Sequence, residues 1–161
     1  MYKIKLYIIL TMFISPFIAK SQSNEISDFT KFVLKTYKVS DSLKYNCEWM
    51  FAVVKVKTDA RNKIIKYDFV NNASDALKSG FSFLIGYQFP IKMPINDHPV
   101  VFYFSIDNLD ICKQKPGDFI YYTPNRVVEI ISDILLKIEK DDPKTVFIPD
   151  MIVKKFYEVQ H

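Results

Sequence analysis

His98, Asp97 and Tyr103 are the side chains that come closest to an acid–base site in this 161-residue sequence. No cysteine or acidic residue accompanies His98 at the spacing of metal ligands, and a general base needs an orienting partner that adjacency alone does not supply. We therefore expect His98 to face solvent in a loop, and we predict no catalytic residue. A small exported hydrolase assembled from these three residues is the alternative.

Other chemical motifs lead to the same expectation. The sequence contains no glycine-rich phosphate loop, no Gly-x-Ser-x-Gly nucleophile elbow and no zinc-binding helix motif. Asp107, Asp110, Asp141 and Asp142 do not have the ligand spacing of an EF-hand, so we interpret them as loop acids and helix stops. The sequence predicts neither a metal nor another cofactor.

Aromatic side chains are abundant, with 14 phenylalanines and 10 tyrosines. Tyr103, Tyr121 and Tyr122 are candidates for an exposed recognition surface, because contiguous exposed apolar patches mark interaction sites. Phe102 and Phe104, which alternate along one strand pattern, are expected in the core instead.

The N-terminal stretch has the three parts of a cleavable secretory signal, residues 1–21. Lys3 and Lys5 form a positive start, residues 6–19 are an apolar run, and small residues lead to cleavage after Ser21. The run is too short for a membrane span, which takes about 20 apolar residues. We expect cleavage, no stable membrane anchor afterwards, and a periplasmic or secreted location.

Charge and length limit what the mature chain can be. The full sequence has 22 basic and 18 acidic residues, and loss of Lys3, Lys5 and Lys20 with the signal lowers the net charge from +4 to +1. This near-neutral balance gives no electrostatic footprint for nucleic acid. Residues 22–161 have the length and apolar composition of a single folded domain.

A β-hairpin is predicted in the first half of the mature chain. Alternating apolar residues predict strands at Trp49–Lys57 and Ile64–Val70, and Asn62 in the intervening turn suits left-handed backbone. The second face of the first strand is apolar as well and needs a covering element: Trp49, Phe51 and Val53.

Three amphipathic helices, a third strand and an extended tail complete the pattern. Ser27-Asp28 begins the first helix, Ser74 or Asp75 caps a second helix that extends to about Gln88, and Thr123-Pro124 begins the third. The third strand is Val100–Ile106. Two short extended pieces follow the third helix, at Thr145–Ile148 and Ile152–Tyr157.

The order of these elements predicts an α+β fold with a three-stranded antiparallel sheet in the order 2-1-3. A right-handed crossover from the second strand places the third beside the first, with the second helix on one face. The C-terminal helix and tail form an added layer. This arrangement brings Cys47 near Cys112 and favours a disulfide in an oxidising compartment, with two buried free thiols as the alternative.

Three features in residues 28–107 resemble one known family. A helical lead-in at Phe29–Leu43 precedes the hairpin, whose turn lies at Asn62-Lys63. The next helix opens at Asn72-Ala73-Ser74-Asp75 and closes at Phe89-Pro90. In order and spacing these elements resemble the C-terminal domain of TonB, the periplasmic energy transducer of diderm bacteria. The sequence lacks the long proline-rich spacer of a transducer, and residues 108–161 are an extension of the resemblance. What the resemblance implies is a binding domain.

TonB-type domains engage a receptor peptide by adding a strand to a sheet edge, and this mode is what the resemblance implies here. In the predicted order the edges are Ile64–Val70 and Val100–Ile106, and the partner is an envelope protein or peptide. The binding residues are then predicted to be Ile64, Lys66, Asp68, Val101 and Tyr103. Lysines on an edge equally discourage aggregation. A structural part of an envelope assembly, with the C-terminal helix as its contact, is a further alternative.

Overall fold

The computed structural model of the chain describes residues 26–44, 47, 49–91, 93, 95, 98–108 and 124–156. Helix α1 covers residues 26–36 and is followed by the short helix α2 (Asp41–Lys44). The other elements, in chain order, are β1 (Met50–Thr58), β2 (Ile64–Phe69), α3 (Asp75–Ser79), a 3-10 turn (Ser82–Leu84), β3 (Val100–Asp107), α4 (Pro124–Asp141) and β4 (Val146–Lys155).

The strands form one four-stranded sheet in the order β2-β1-β3-β4. Strand β1 pairs antiparallel with both β2 and β3, whereas β4 pairs parallel with β3. The α+β class and the order of the first three strands are confirmed. The predicted three-stranded antiparallel sheet is wrong, because β4 adds a parallel strand and turns β3 into an interior strand.

The sequence predicted two short extended pieces where the structure has the single strand β4, because β4 is irregular in its middle. Its register with β3 shifts between Val101 and Tyr103, opposite a segment of β4 that contains Pro149. Proline cannot donate to a ladder and is found on edge strands or at bulges, so it divides the apolar pattern into two short pieces. Val146 N–H donates to Pro99 O and Phe156 N–H donates to Asp107 O, at 2.8 and 2.9 Å, and these bonds hold both ends of β4 on β3.

The hairpin turn forms as the sequence predicts. Asn62 has φ of 60° and is the one non-glycine residue with positive φ in the part of the chain that the structure describes. Its amide Nδ2 donates to Pro90 O at 3.2 Å, and Asp59 Oδ1 accepts from the N–H groups of Arg61 and Lys63, both at 2.9 Å. The backbone N–H donors hold the pKa of Asp59 below its usual value.

One face of the sheet, called here the α1 face, packs against α1, α2 and the segment between β2 and β3. Phe29 and Val33 are fully buried on α1, as the helical spacing predicts. The strands contribute alternate residues to the same core, as pleating requires. Those residues include Ala52, Val54, Val56, Phe102, Phe104 and Ile106.

The opposite face, called here the α4 face, is covered by α4. Ile131 and Ile138 of α4 pack against Val53, and Trp49 and Phe51 join this second core as partly buried residues. The predicted cover over the apolar side of β1 is therefore the C-terminal helix. An ion pair of 3.6 Å between Lys55 and Asp142 fastens the end of α4 to β1.

The second helix is shorter than predicted. Ser74 caps it by accepting from Leu77 N–H at 3.3 Å, but the helix ends at Ser79 and gives way to the 3-10 turn. Gly80 closes the helix, and a Cβ there would lie 2.5 Å from Cε2 of Tyr37. The expected helix to Gln88 is wrong, because regular α-helix ends at Ser79 with Gly80 as its C-cap, although Leu77 and Leu84 still reach the α1-face core.

The two crossover connections pass over opposite faces of the sheet. Strands β2, β3 and β4 run in one direction, and each connection moves the chain the same way across the sheet. The α3 segment lies on the α1 face and α4 lies on the α4 face, so the two connections have opposite handedness. One of them departs from the strong right-handed preference. Both faces are thereby covered, and within the described ranges no further strand joins the sheet beyond β2 or β4.

Candidate peptide-binding edge

The two lateral edges of the sheet are β2 and β4. Strand β3, which the sequence predicted to be an edge, pairs with β1 on one side and β4 on the other. Val101 is 1% exposed and Tyr103 is 6% exposed. The prediction that Val101 and Tyr103 lie on a binding edge is therefore wrong, because the parallel strand β4 occupies that position.

Among the described residues, only part of the outer side of β2 lacks hydrogen-bond partners. Ile64 N–H donates to Tyr87 O at 2.8 Å, and Ile64 O accepts from Gly86 N–H at 2.9 Å. Gln88 forms an isolated bridge with Lys63 and donates through Nε2 to Arg61 O at 3.1 Å. Ile64 itself is buried, so the prediction that it offers an open edge is wrong.

The open part of β2 extends from Lys66 to Phe69. Val70 N–H donates inward to Val53 O at 2.9 Å, continuing the antiparallel ladder past the end of the strand. Peptide groups in such a ladder alternate between facing the neighbour and facing away. The peptide groups of Tyr67 and Phe69 therefore face away from β1, on the outer edge. This pair of residues forms what we call the β2 edge.

The side chains that flank the β2 edge differ between the two faces of the sheet. Tyr67 and Phe69 pack their rings on the α1-face core. On the other face Lys66 and Asp68, both predicted as binding residues, are exposed and form an ion pair of 2.9 Å. Among the residues that the structure describes, the α4-face core includes none from β2. A strand added here would meet solvent-exposed charges on that face.

A cavity of about 210 Å³ lies at the end of β2 that is remote from the hairpin turn. Its lining comes from the start of β1 and from the residues that follow β2: Trp49, Met50, Phe51, Asn71, Asn72, Ala73, Ser74 and Leu77. The rings of Trp49 and Phe51 stack at 4.3 Å with an interplanar angle of 14°. An extended segment that leaves the β2 edge beyond Val70 would reach this cavity.

The side-chain amide of Asn71, which lines the cavity, makes the hydrogen bonds to β1 that a backbone peptide group of a neighbouring strand would make. Its Oδ1 accepts from Val53 N–H at 2.7 Å, and its Nδ2 donates to Phe51 O at 3.0 Å. The side-chain amide thereby satisfies β1 where β2 has already turned away. No functional role was predicted for Asn71 from the sequence. The signal that could have found it is an Asn-Asn pair immediately after a predicted strand.

Neither His98 nor Tyr103 lines the cavity at the end of β2. His98 is half-buried and its N–H donates to Ile95 O at 2.7 Å, while Asp97 lies outside the described residues. Burial raises the pKa of Tyr103, against an opposing effect of hydrogen bonds with Ser105 and Trp49. Within the described ranges no cluster of three or more His, Cys, Asp or Glu side chains could hold a metal ion.

Several predicted residues lie outside the described part of the chain. Tyr121, Tyr122 and Cys112 belong to this group, as do residues 1–21. Cys47 is disulfide-bonded, and the sequence contains one other cysteine, Cys112. The pairing of the two cysteines stays a prediction. None of the helices that the structure describes is long and apolar enough to cross a membrane.

Comparison with known proteins adds no relative to this description. A scan against protein-family models, a search of curated proteins and a search of solved structures each found no match to the chain.

Proposed function

We propose that this chain is an exported, non-enzymatic protein-binding domain that captures an extended peptide by strand addition at the β2 edge. The observation that carries the proposal is the open edge at Tyr67 and Phe69, which lies between a sealed position at Ile64 and a cavity at Asn71. Strand addition supplies affinity through main-chain hydrogen bonds and specificity through pockets for alternate side chains. The β2 edge offers outward peptide groups, and the cavity at Asn71 offers one pocket for a side chain.

The cellular setting of the proposal comes from residues 1–21 and from the TonB resemblance. A cleaved signal would deliver the domain to the periplasm or the medium without a membrane anchor. The partner is then an envelope protein or peptide with an extended segment. Within that segment, one apolar side chain would enter the cavity beside the stacked rings of Trp49 and Phe51.

Peptide selection followed by amide hydrogen exchange tests this function. Peptides would be selected from a random library displayed on phage against the mature chain. We expect a selected peptide to slow exchange at the N–H groups of Tyr67 and Phe69, because these donors face away from β1. Exchange at Met151 and Val153 on the other edge should stay unchanged. Failure to select any peptide, or protection confined to other amides, would count against the proposal.

Two variants separate the edge from the cavity. Tyr67→Pro removes an outward donor and leaves the β1 ladder intact, since proline lacks the N–H that faces solvent. Asn72→Trp at an exposed position of the cavity lining would obstruct the cavity. We expect both to weaken binding of a selected peptide, with Lys35→Ala on the exposed side of α1 as the matched control. Unchanged binding by both variants would exclude this site.

A structural role in an envelope assembly is the second candidate, and one observation favours it. Val128 and Leu136 are exposed on α4, the helix that the sequence nominated as a contact. Leu136 also lines a groove together with Phe147 of β4.

A further inference from the structure

The second lateral edge of the sheet is β4, and no described strand pairs with the outer side of its C-terminal half. Phe156 N–H donates to Asp107 O, so peptide groups at even-numbered positions in this half face β3. Peptide groups of a paired strand alternate in direction, which turns those of Met151, Val153 and Lys155 outward. Pro149 has no N–H and ends the usable stretch on its other side. The open ladder therefore extends from Asp150 to Lys155.

An apolar surface borders this edge on the α4 face. Met151, Val128 and Leu136 are 54%, 60% and 63% exposed. A groove of about 430 Å³ continues the surface between α4 and β4, lined by Ser132, Leu135, Leu136, Glu139 and Phe147. Positions 128, 132 and 136 follow one another by four residues and so lie on one side of the helix. An unpaired edge with apolar flanks is a template for association, and monomeric proteins usually protect such edges with charge.

We infer that a second copy of this chain pairs antiparallel with β4 about a two-fold axis at Ile152. Outward peptide groups must oppose one another in an antiparallel ladder, which restricts the register. The axis at Ile152 sets Met151 opposite Val153 of the second copy. An axis at Val153 would instead set Met151 opposite a lysine, Lys155.

Charge complementarity selects the same register. Asp150 and Lys154 both lie on the α1 face, because Thr30 Oγ1 donates to Asp150 Oδ2 at 3.4 Å and Lys154 Nζ donates to Leu34 O at 2.6 Å. With the axis at Ile152, Asp150 of each copy lies directly opposite Lys154 of the other. Opposite charges facing each other across strands stabilise a sheet, and the two-fold axis produces this pair twice.

The helices complete the interface on the α4 face. An axis perpendicular to the sheet places the two copies of α4 on the same face of the combined sheet, one on each side of the seam, and makes them antiparallel. The exposed side chains of Val128 and Leu136 then face their counterparts across the seam instead of water. The resulting eight-stranded sheet has β2 at each end, so the association leaves both proposed peptide-binding edges open. It goes beyond the proposed function and can fail independently of it.

Charge exchange across the seam tests the inference on the mature full-length chain. Sedimentation equilibrium should give twice the mass of the chain. Asp150→Lys and Lys154→Asp should each weaken the dimer by about tenfold, because each sets like charges opposite one another. The combined variant Asp150→Lys/Lys154→Asp should recover most of that loss. A dimer that shows no recovery would overturn the register, and a monomer at every concentration would overturn the dimer.

Two further variants keep the test independent of folding. Met151→Lys changes an exposed side chain and should weaken the dimer, because lysines then meet the apolar seam of both copies. Asp133→Lys changes an exposed residue on another side of α4 and should leave the dimer intact. If Asp133→Lys weakened the dimer as much as Met151→Lys, the contact would lie elsewhere. Thermal unfolding of each variant checks that the fold is kept.

Discussion

The hydroxyl of Tyr37 donates a hydrogen bond of 2.9 Å to the carbonyl oxygen of Leu77. Tyr37 follows α1, and Leu77 belongs to α3 and lines the cavity at the end of β2. The buried ring of Tyr37 lies 4.9 Å from the ring of Phe81 and 4.4 Å from that of Phe104. One side chain thus joins α1, α3 and the middle of the sheet, and it holds the wall of the proposed peptide site in place.

Gly80→Ala is expected to destabilise the fold through this ring. A Cβ at Gly80 would lie 2.5 Å from Cε2 and 2.7 Å from Cζ of Tyr37, and the buried ring has little room to move. Overpacking of this kind costs about 1–3 kcal/mol of unfolding free energy. Urea denaturation measures the change.

A double-mutant cycle identifies the cause of that loss. Tyr37→Leu removes the ring, so Gly80→Ala should cost much less in the Tyr37→Leu background than in the native chain. Gly80 has φ of −73°, an ordinary helical value, so backbone strain does not contribute. An equal cost in both backgrounds would show that the contact with Tyr37 is not responsible.

Stability is expected to fall at alkaline pH because buried tyrosines resist ionisation. Burial raises the pKa values of Tyr37, Tyr87 and Tyr103 above the ordinary 10.0, and for Tyr87 the charge of Asp28 adds to the effect. Below the unfolded pKa both states keep the phenol proton, and the full stability is present. As the pH rises past that value the unfolded chain ionises first, so stability is lost toward the folded pKa.

Urea unfolding between about pH 8 and pH 11 measures this loss across the ordinary tyrosine pKa. Tyr37→Phe is the matched control, since it removes one buried phenol and leaves Tyr87 and Tyr103. The variant should be less stable at neutral pH, because Leu77 O loses its donor. Its stability should nevertheless decline less steeply with rising pH. An equally steep decline would mean that Tyr37 does not carry the effect.

Replacement of Asn62 should separate two contributions to the hairpin turn. Asn62→Ala removes the amide that donates to Pro90 O and places alanine at φ of 60°. We expect a loss of about 2–3 kcal/mol from the unpaired carbonyl and the strained backbone together. Asn62→Gly removes the same hydrogen bond without strain, so its cost should be about 1 kcal/mol smaller. Thermal melts compare the variants, and a costlier glycine variant would contradict the argument.

Thr58→Val is expected to stabilise the protein. Thr58 Oγ1 is buried at the end of β1 and has no hydrogen-bond partner among the residues that the structure describes. Valine has nearly the same shape and avoids burial of an unsatisfied hydroxyl, a difference of about 1 kcal/mol in unfolding free energy. Thr145→Val, at the second such hydroxyl, should behave alike. A less stable Thr58→Val variant would indicate that the hydroxyl has a partner, such as a bound water.

Local chemistry explains where sequence reasoning succeeded. The hairpin was predictable because each strand alternates apolar residues and Asn62 tolerates left-handed backbone, which are properties of a few neighbouring residues. The faces of α1 and α4 were predictable for the same reason, since helical spacing alone aligns Phe29 with Val33 and Ile131 with Ile138. The apolar second face of β1 correctly predicted a covering element, but only the structure identified that element as α4.

Long-range packing explains where it failed. The stripe of apolar residues after Ser74 has helical spacing, yet the helix ends at Ser79, and the ring of Tyr37 packs so close to Gly80 that a Cβ there would lie 2.5 Å from it. No local pattern contains that contact, because the two residues come from different elements. The β2 edge was predicted at the right strand, but the segment at Gly86 and Tyr87 that seals Ile64 could not be foreseen.

The amino-acid sequence by itself determined the α+β class, the hairpin, its turn and the helix faces, since these depend on interactions between residues close along the chain. Tertiary structure alone decided which backbone edges are open. Strand β4 pairs with β3 across the 38 residues 108–145. This pairing makes β3 an interior strand and leaves the outward peptide groups of Met151 and Val153 on the edge. Whether a strand is an edge depends on whether another strand pairs with its outer side, and that is a property of the assembled sheet.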